Sequence, residues 1–244
     1  MLVTSLDNEK IKKYLKLKDK KYRDLYNEFI VEGMHLVLEA YRNDLIEELI
    51  LEQDEVLPLD VKCVYTTKEI ISKISSLTTP TNIMALVRKK PVTKTFKDKI
   101  LLLDNIQDPG NLGTIIRSAK AFNIDTIILS NDTVDLYNPK VLRATQGISF
   151  YMNIYQDDLS SSLEKIKEDN IVIYGTKVEC GIDVKTLTTK DKSRFALVMG
   201  NEGNGLKDNI TKLCDKNLYL KMNDDVESLN VAIACSILLY ELGS

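Results

Sequence analysis

The chain has 244 residues, which is enough for one large domain or two small ones. Its composition, 44% hydrophobic and 28% charged, is typical of a soluble globular protein. No apolar run approaches the roughly 20 residues that a membrane-spanning helix needs, and the N-terminus, MLVTSLDNEK, lacks a secretory signal pattern. We therefore expect a cytoplasmic protein without a membrane partner. The net charge of −3 excludes a uniformly positive surface but allows a local positive patch that binds nucleic acid.

A lysine-rich stretch, SLDNEKIKKYLKLKDKK, follows the N-terminus and carries apolar residues at helical spacing. Two interpretations stay open. Either the lysines form a solvated helix face, or Lys12, Lys13 and Lys16 contact RNA phosphates, because clustered lysines gain affinity by releasing counterions. The nearby aromatic side chains also have two interpretations: they pack inside the protein, or they stack on unpaired bases of the RNA. These are Tyr14, Tyr22 and Tyr26.

Beyond this stretch, strands and helices alternate, which predicts a small α/β domain. The predicted strands are Phe29 to Val31, Leu45 to Leu51, Val61 to Tyr65 and Ile83 to Val87, and the predicted helices are Met34 to Tyr41 and Lys68 to Ser76. His35 is the only histidine, and because no catalytic partner can be identified for it, we interpret it as structural or surface-exposed. The basic segment RKKPVTKTFKDK, which contains Pro91, predicts a linker. We expect a first domain over residues 1–92, a linker over 93–99 and a second domain over 100–244.

The second domain alternates between strands and helices, which predicts a parallel sheet covered by helices on both faces. The predicted strands are Ile100 to Leu103, Thr126 to Leu129, Phe150 to Tyr155, Ile171 to Gly175, Phe195 to Met199 and Leu218 to Met222. Asn111 is the expected N-cap of a helix from Leu112 to Phe122. A last helix begins near Ser228, and because it is apolar nearly all round, we expect it to be buried.

The strand that ends at Met199 runs into the loop GNEGNG. Its glycine order is not the dinucleotide fingerprint G-x-G-x-x-G, which argues against a nucleotide-dependent oxidoreductase, and it lacks the lysine of a P-loop. The loop is either a tight structural turn or a backbone cradle for an adenosine-like ligand. Together with the loop after Met222 it is expected to form one ligand pocket.

The four cysteines are far apart in the sequence and form no C-x-x-C pair, so we expect small buried side chains and no metal site. They are Cys63, Cys180, Cys214 and Cys235.

Three separated segments resemble the signature motifs of the SpoU/TrmH family, within the SPOUT superfamily of RNA methyltransferases. NLGTIIR, from Asn111 to Arg117, fits the pattern Asn-x-Gly-x-x-x-Arg, and MGNEGNGL and ESLNVAIA resemble the second and third motifs in the family's order. The stretch KYLKLKDKKYRDLYNEFIVEGMHLVLEA, with TTPTNIMALVRKK, is similar to the family's substrate-binding domain. The resemblance implies a parallel-sheet α/β SPOUT domain with a deep trefoil knot, preceded by a small L30e-like α/β domain.

The resemblance also implies an activity. It is the transfer of a methyl group from S-adenosylmethionine to a ribose 2′-hydroxyl in RNA by a homodimer, with ribosomal RNA favoured over transfer RNA. The alternative is a non-catalytic RNA-binding module of the same fold. Two departures from the family pattern, Ala232 in place of a serine and Lys221 in place of a proline, bear on cofactor affinity.

The family's functional positions map onto this sequence by motif. The residues that match the catalytic positions are Arg117, Asn111, Glu202, Ser228 and Asn230. Those that match the cofactor pocket are Thr176, Gly200, Leu220 and Leu229. The resemblance further implies that Arg143, in LRATQG, contacts RNA or the partner subunit. The family arginine is proposed to activate the 2′-hydroxyl. Because arginine is a poor base, the more defensible role is to orient a phosphate and stabilise a developing alkoxide.

Overall fold

The protein is described by a computed structural model covering residues 1–177, 181–223 and 225–243. It divides into two compact units. The first comprises Met1–Pro91 and Asp135–Tyr151, and the second comprises Val92–Val134 and Met152–Ser244. The division after Pro91 lies next to the expected linker, whereas residues 135–151, expected in the second domain, pack in the first unit.

The secondary structure alternates between strands and helices in both units. In chain order the elements are β1 Leu2–Val3, α1 Glu9–Lys16, α2 Lys20–Tyr26, β2 Glu28–Glu32, α3 Met34–Arg42, β3 Ile46–Glu52, β4 Cys63–Thr66, α4 Lys68–Ile74, β5 Ile83–Arg88, β6 Lys99–Leu103, α5 Pro109–Ala121, β7 Thr126–Leu129, α6 Pro139–Thr145, β8 Asn153–Gln156, α7 Leu159–Glu168, β9 Val172–Thr176, β10 Ile182–Asp183, α8 Thr189–Ser193, β11 Phe195–Met199, α9 Asp208–Thr211, β12 Lys216–Tyr219 and α10 Val231–Gly243. Short 3-10 turns lie at Ile148–Tyr151 and Val184–Thr186.

The first unit is built on a five-stranded mixed sheet with the order β1-β4-β3-β5-β2. β3 and β4 are parallel, whereas β5 runs antiparallel to both β2 and β3. One apolar cluster includes α1 and α4, and a second includes α3 and the segment 135–151. The two clusters take alternate residues of the central strands, such as Ile50 and Leu51, as the side-chain alternation of a strand requires.

The lysine-rich stretch forms two helices rather than one. Asn8 caps α1 by accepting a hydrogen bond from the backbone of Lys10, and the chain turns before α2 begins. Arg23 of α2 is buried and fixes this turn, because its guanidinium donates to the carbonyl oxygens of Leu17 and Lys18 at 2.9 and 2.6 Å. The same guanidinium pairs with Asp135 at 2.7 Å, which neutralises the buried charge.

The segment 135–151 supplies core residues to the first unit. Leu142 and Phe150 are 2% and 4% exposed and belong to the same apolar cluster as Phe29 and Leu49. The cluster would therefore be incomplete if the first unit ended at Pro91.

We expect Leu142→Ala to lower the free energy of unfolding by about 2 to 5 kcal/mol, because the lost side chain leaves a cavity. Leu25→Ala in the same unit is the matched control, since Leu25 is 67% exposed and its truncation should change stability by no more than about 0.5 kcal/mol. Urea unfolding followed by circular dichroism measures both. Equal effects of the two substitutions would show that the segment does not stabilise the unit.

The second unit contains a seven-stranded sheet in which every pair is parallel, with the order β10-β12-β9-β11-β6-β7-β8. The predicted parallel sheet is confirmed. Its centre is buried on both faces, which explains the unbroken apolar runs of β6 and β11.

The predicted strand Phe150 to Tyr155 is wrong in its first half, which forms the 3-10 turn that ends at Tyr151. The trefoil knot stays a prediction.

Two expected helix starts are corrected. Asn111 is not the N-cap of α5, because Asp108 accepts the hydrogen bond from the Asn111 backbone N–H and Pro109 occupies the first helical position. Ser228 does not cap the last helix either. The side chain of Asn230 accepts from the backbone N–H groups of Ala232 and Ile233.

The last helix, α10, is not buried all round. It packs on α5, where the hydroxyls of Ser118 and Ser236 lie 2.7 Å apart, but one apolar face remains exposed. We call this the α10 apolar stripe. It comprises Ile233, Ile237 and Tyr240, which are 53%, 39% and 59% exposed. The periodicity could not show the stripe, because a helix that is apolar on every side gives no signal for its exposed face.

The expectation of small buried cysteines holds for Cys235, whereas Cys63 and Cys214 are partly exposed and Cys180 lies outside the described residues. Burial raises the pKa of the Cys235 thiol, and burial followed by the charge of Asp215 raises the pKa of Cys214 to about 11. Neither thiol is a reactive thiolate at neutral pH.

Within the described parts of the chain, no helix is long and apolar enough to cross a membrane.

Candidate functional site

A cavity of about 420 Å³ opens at the carboxyl ends of β9, β11 and β12. These strands are parallel neighbours, so their last residues and the following loops meet at one edge of the sheet. The volume falls in the usual range of small-molecule sites, about 300 to 1,000 Å³. Its wall combines apolar side chains, such as Leu218 and Leu238, with polar ones, such as Asn204 and Thr211.

The loop after β11 is closed on itself, which fixes one wall of the cavity. The backbones of Asn201 and Gly205 exchange two hydrogen bonds of 2.9 and 3.0 Å, and the Asn201 side chain accepts from the N–H groups of Gly203 and Asn204. Gly200 has no space for a side chain, because a Cβ there would lie 2.2 Å from the carbonyl carbon of Gly205. Gly205 has a φ of +67°, a conformation that favours glycine.

The three motif segments meet in one chain of side-chain hydrogen bonds. Asn230 donates to Oδ1 of Asn111 at 3.0 Å, and Asn111 donates to Oε1 of Glu202 at 3.1 Å. Glu202 also accepts from the backbone N–H of Asp108 at 3.1 Å and from that of Gln107 at 3.3 Å. Because the Asn111 side chain contacts both Asn230 and Glu202, it links the three motif segments.

The hydrogen bonds to Glu202 set its protonation state. Burial by itself would raise the pKa of this carboxyl, but the hydrogen bonds from Asn111 and the backbone of Asp108 and Gln107 outweigh it and lower the pKa. Glu202 is therefore ionised at neutral pH and is a weak proton acceptor. The carboxylate holds the Asn111 side chain and the backbone of Gln107 and Asp108 in place.

The four sequence-predicted cofactor residues all line the cavity: Thr176, Gly200, Leu220 and Leu229. The Thr176 hydroxyl donates to the carbonyl oxygen of Val198 at 3.1 Å, so it ties β9 to β11 at the cavity wall. Glu202 and Ser228 also line the cavity, and the exposed Ser228 hydroxyl has no hydrogen-bond partner among the residues that the structure describes.

Arg117 is placed differently from the other motif residues. It is exposed on α5, it is not among the cavity-lining residues, and no hydrogen bond or ion pair holds it within residues 1–177, 181–223 and 225–243. The charge of the guanidinium is therefore not neutralised by any residue that the structure describes.

Sequence reasoning did not single out Asn201, Lys177 or Asp208. Asn201 fixes the loop, and its signal was available, since an asparagine that follows a glycine directly after a strand is typical of a turn. Lys177 and Asp208 bring opposite charges to the cavity wall. Lys177 directly follows the last residue of β9, a position where ligand-binding residues are common in parallel sheets.

The three lysines proposed to bind RNA lie on α1, in the first unit, and differ in how free their charges are. Lys12 pairs with Glu9 in the same helix, and the Lys13 ammonium lies 2.5 Å from the Glu28 carboxylate. Lys16 instead lies over the ring of Tyr22, 5.7 Å from its centroid. Lys13 is thus partly neutralised, whereas Lys16 keeps a free charge.

Arg143 is half-buried in the first unit rather than fully available to RNA. One of its N–H groups donates to the Ser76 hydroxyl at 2.9 Å, and that hydroxyl donates to Glu32 at 2.6 Å. His35 is exposed and lies 3.1 Å from the carbonyl oxygen of Gln146, which agrees with a surface role.

The sequence profile of the SpoU rRNA Methylase family matches residues 98–240, and that of the MRM3-like substrate binding domain matches residues 8–85. The chain belongs to the SpoU rRNA methylase family. The first profile spans all three motif segments that the hydrogen-bond network joins, and the resemblance read from those motifs is confirmed.

Relatives of this SpoU-family chain align over almost its whole length. It is 34% identical over 245 residues to a protein of Bacillus subtilis named 23S rRNA (guanosine(2553)-2′-O)-methyltransferase RlmP, with 98% of each chain covered. It is 30% identical over 284 residues to the zebrafish (Danio rerio) mitochondrial rRNA methyltransferase 3A, covering 90% of this chain and 64% of that protein. A crystal structure of an AdoMet-bound rRNA methyltransferase from Sinorhizobium meliloti superposes with a TM-score of 0.85 at 27% identity, covering 99% and 97% of the two chains.

The two departures from the SpoU-family pattern are accommodated without loss of the network. Ala232 is buried, and its backbone N–H still donates to Asn230 at 2.9 Å. Lys221 is exposed in the loop that follows β12. Neither residue interrupts the hydrogen bonds that join Asn230, Asn111 and Glu202.

Proposed function

We propose that the protein methylates a ribose 2′-hydroxyl of ribosomal RNA and uses S-adenosylmethionine as the methyl donor. The observation that carries this proposal is the network in which Asn230, Asn111 and Glu202 join the three motif loops beside the cavity. The name of the Bacillus subtilis relative, which aligns over 98% of both chains, supports ribosomal over transfer RNA as the substrate. A cytoplasmic location is part of the proposal.

The cavity fits the proposed cofactor. An adenosine needs a slot with apolar walls and backbone polar groups, and Leu220 and Leu229 supply such walls on loop segments. Lys177 and Asp208 offer charges for the carboxylate and ammonium of the methionine part. The missing side chain at Gly200 lets the backbone of Gly205 pack against it, which closes the loop that forms one wall of the cavity. S-adenosylmethionine, when bound, supplies an electrophilic methyl group to a nucleophilic oxygen.

The remaining requirement is to place and activate the ribose oxygen. Arg117, exposed and unpaired among the described residues, can hold an adjacent phosphate and stabilise the negative charge that develops on the oxygen. Ser228 contributes a hydroxyl at the cavity wall. Proximity supplies much of the rate, because holding two reactants in line can lower a barrier by several kcal/mol, up to about 11 kcal/mol in well-oriented cases.

The α10 apolar stripe supports a homodimer as part of this proposal. Ile233, Ile237 and Tyr240 are large apolar side chains exposed in a row on one helix, a feature typical of surfaces that another protein covers. Tyr240 also contacts Phe122 at the end of α5 edge-to-face, with ring centroids 5.7 Å apart. A two-fold interface at the stripe would be self-complementary.

We expect Ile237→Glu to convert the dimer to a monomer, because a carboxylate buried in an apolar interface loses its hydration. Sedimentation velocity measures the change. Val56→Glu, at a 78% exposed position in the first unit, is the control and should leave the mass unchanged. A wild-type chain that sediments as a monomer at micromolar concentration would contradict the dimer.

The charge on α1 gives a separate prediction for RNA binding. We expect replacement of Lys12, Lys13 and Lys16 by Gln to make the salt dependence of RNA affinity shallower by about 2.1 to 2.7 units of log–log slope, because each of the three lost phosphate contacts removes roughly 0.7 to 0.9. The control variant replaces Lys62, Lys68 and Lys73 by Gln, which removes the same charge elsewhere in the first unit. Filter binding over a range of salt concentrations measures the slope. If both variants change it equally, α1 has only a solvated face.

The activity itself is tested with ribosomal RNA from cells that lack the protein. Purified protein and radiolabelled S-adenosylmethionine should transfer label to this RNA, and the product should resist alkaline cleavage at one nucleotide. Transfer RNA from the same cells is the comparison substrate. If the protein bound RNA but failed to bind S-adenosylmethionine in calorimetry, a non-catalytic RNA-binding module would replace the proposed enzyme.

A further inference from the structure

The first unit carries a pair of stacked tyrosine rings on α2 that the proposed chemistry does not use. The rings of Tyr22 and Tyr26 are nearly parallel, with an interplanar angle of 17° and centroids 6.3 Å apart. Tyr26 is 37% exposed and Tyr22 is half-buried. We call these two rings, with the lysines that surround them, the α2 tyrosine platform.

The third tyrosine of this region serves a different purpose. Tyr14 is 1% exposed, and its hydroxyl donates to Glu48 at 2.5 Å, which together with burial raises its pKa. It is therefore a packing residue. The hydroxyls of Tyr22 and Tyr26 have no hydrogen-bond partner within the described chain, so no internal contact of their polar groups accounts for their position.

Positive charge surrounds the two rings. The ammonium groups of Lys16 and Lys21 lie 5.7 and 5.8 Å from the centroid of Tyr22, and that of Lys13 lies 5.4 Å from the centroid of Tyr26. Lys16 and Lys21 have no carboxylate partner among the residues that the structure describes. An exposed cation–π contact is worth only about 0.5 to 1 kcal/mol, so a phosphate can draw these ammonium groups away at small cost.

The carboxylate nearest in sequence does not cancel this charge. Asp24, between the two tyrosines, is held by Lys20 and by Lys89, each at 2.6 Å. Although burial opposes the shift, these two lysines lower the pKa of Asp24, so its carboxyl group stays ionised. The two positive charges of the lysines outweigh its single negative charge. The platform therefore presents aromatic faces in a positive environment.

The platform is also held in place before any ligand arrives. Arg23, buried between the two tyrosines in sequence, ties α2 to the end of α1 through the carbonyl oxygens of Leu17 and Lys18 and pairs with Asp135. A fixed surface loses less conformational entropy on binding than a flexible one.

From these contacts we infer that the α2 tyrosine platform binds unpaired nucleotides of the RNA, with the bases stacked on Tyr22 and Tyr26 and the phosphates on Lys16 and Lys21. The inference rests on the proposed function and extends it, because it specifies that the substrate presents a loop or single strand to the first unit. Aromatic rings beside lysines favour this ligand over a duplex, whose bases are already stacked.

The test compares two fluorescein-labelled probes, a single-stranded oligoribonucleotide of about ten nucleotides and the duplex that it forms with its complement. Replacing both Tyr22 and Tyr26 by Leu should weaken single-strand binding about ten- to a hundredfold, since each stacked base is lost separately. Duplex affinity and the salt slope of the single-strand titration should not change, because no charge is removed. The control is Tyr41→Leu, which removes another 37% exposed tyrosine of the first unit and should have no effect.

A variant with Phe at both positions separates stacking from a loss of local structure. Because phenylalanine keeps the ring, this variant should bind the single strand within about twofold of wild type. Unchanged binding by the Leu variant, or an equal loss on both probes, would overturn the inference. Failure of the proposed enzyme would look different: wild-type protein would discriminate between the probes but transfer no methyl group to ribosomal RNA.

Discussion

Gly200→Ala should abolish useful cofactor binding, with the dissociation constant for S-adenosylmethionine rising about a hundredfold. The added methyl group would lie 2.2 Å from the carbonyl carbon of Gly205 and 2.4 Å from the backbone nitrogen of Leu206. Both neighbours are backbone atoms, so the loop itself has to move. Overpacking of this kind costs about 1 to 3 kcal/mol where the surroundings relax and more where they cannot.

The same loop contains its own controls. Gly203→Ala should bind the cofactor as wild type does, because its added Cβ would meet only the Asn201 side chain, at 3.7 Å. Gly205→Ala should have an intermediate affinity for the cofactor. There is space for the methyl group, but the φ of +67° costs an alanine about 1 to 2 kcal/mol. Titration calorimetry of the three variants gives the order directly. Equal affinities for the Gly200 and Gly203 variants would show that the closed loop is not part of the cofactor site.

The position of this cavity could be predicted from the sequence, because three of its lining segments directly follow strands of the parallel sheet. The run Phe195–Met199 ends in glycine and asparagine, and strand ends of a parallel sheet share an edge. The position of the hydrogen bonds could not be predicted in the same way. Asp108 and Asn111 are both good capping residues, and only the folded loop shows that Asp108 caps α5 and leaves the Asn111 side chain free to join Glu202 and Asn230.

Contacts between distant parts of the chain account for the other differences. The segment 135–151 has an ordinary helical pattern, and nothing local in it indicates that Leu142 packs beside Phe29. Tyr14 is an instructive contrast. It lies three residues from the apolar residues Ile11 and Leu17, which are both buried, so the helical spacing places it on the buried face of this region. Tyr26, by contrast, is exposed.

Arg117→Ala should leave cofactor affinity unchanged and lower the rate of methyl transfer about a hundred- to a thousandfold. The two effects separate because Arg117 does not line the cavity, so its removal does not disturb the cofactor site. The rate falls because removing one group that stabilises developing oxyanion charge typically lowers turnover about 10²- to 10³-fold. Calorimetry with S-adenosylmethionine and single-turnover methylation of ribosomal RNA measure the two quantities independently.

Lys120→Ala is the matched control, because Lys120 is also exposed and lies three residues later on α5. It removes the same charge and should keep at least about half of the activity, since a single exposed charge contributes little beyond screened, long-range attraction. Arg117→Lys should recover only part of the lost rate, because an ammonium cannot reproduce the bidentate contact of a guanidinium with a phosphate. If Arg117→Ala and Lys120→Ala slowed transfer by the same factor, the guanidinium would act through general attraction of RNA and would have no part in activating the ribose oxygen.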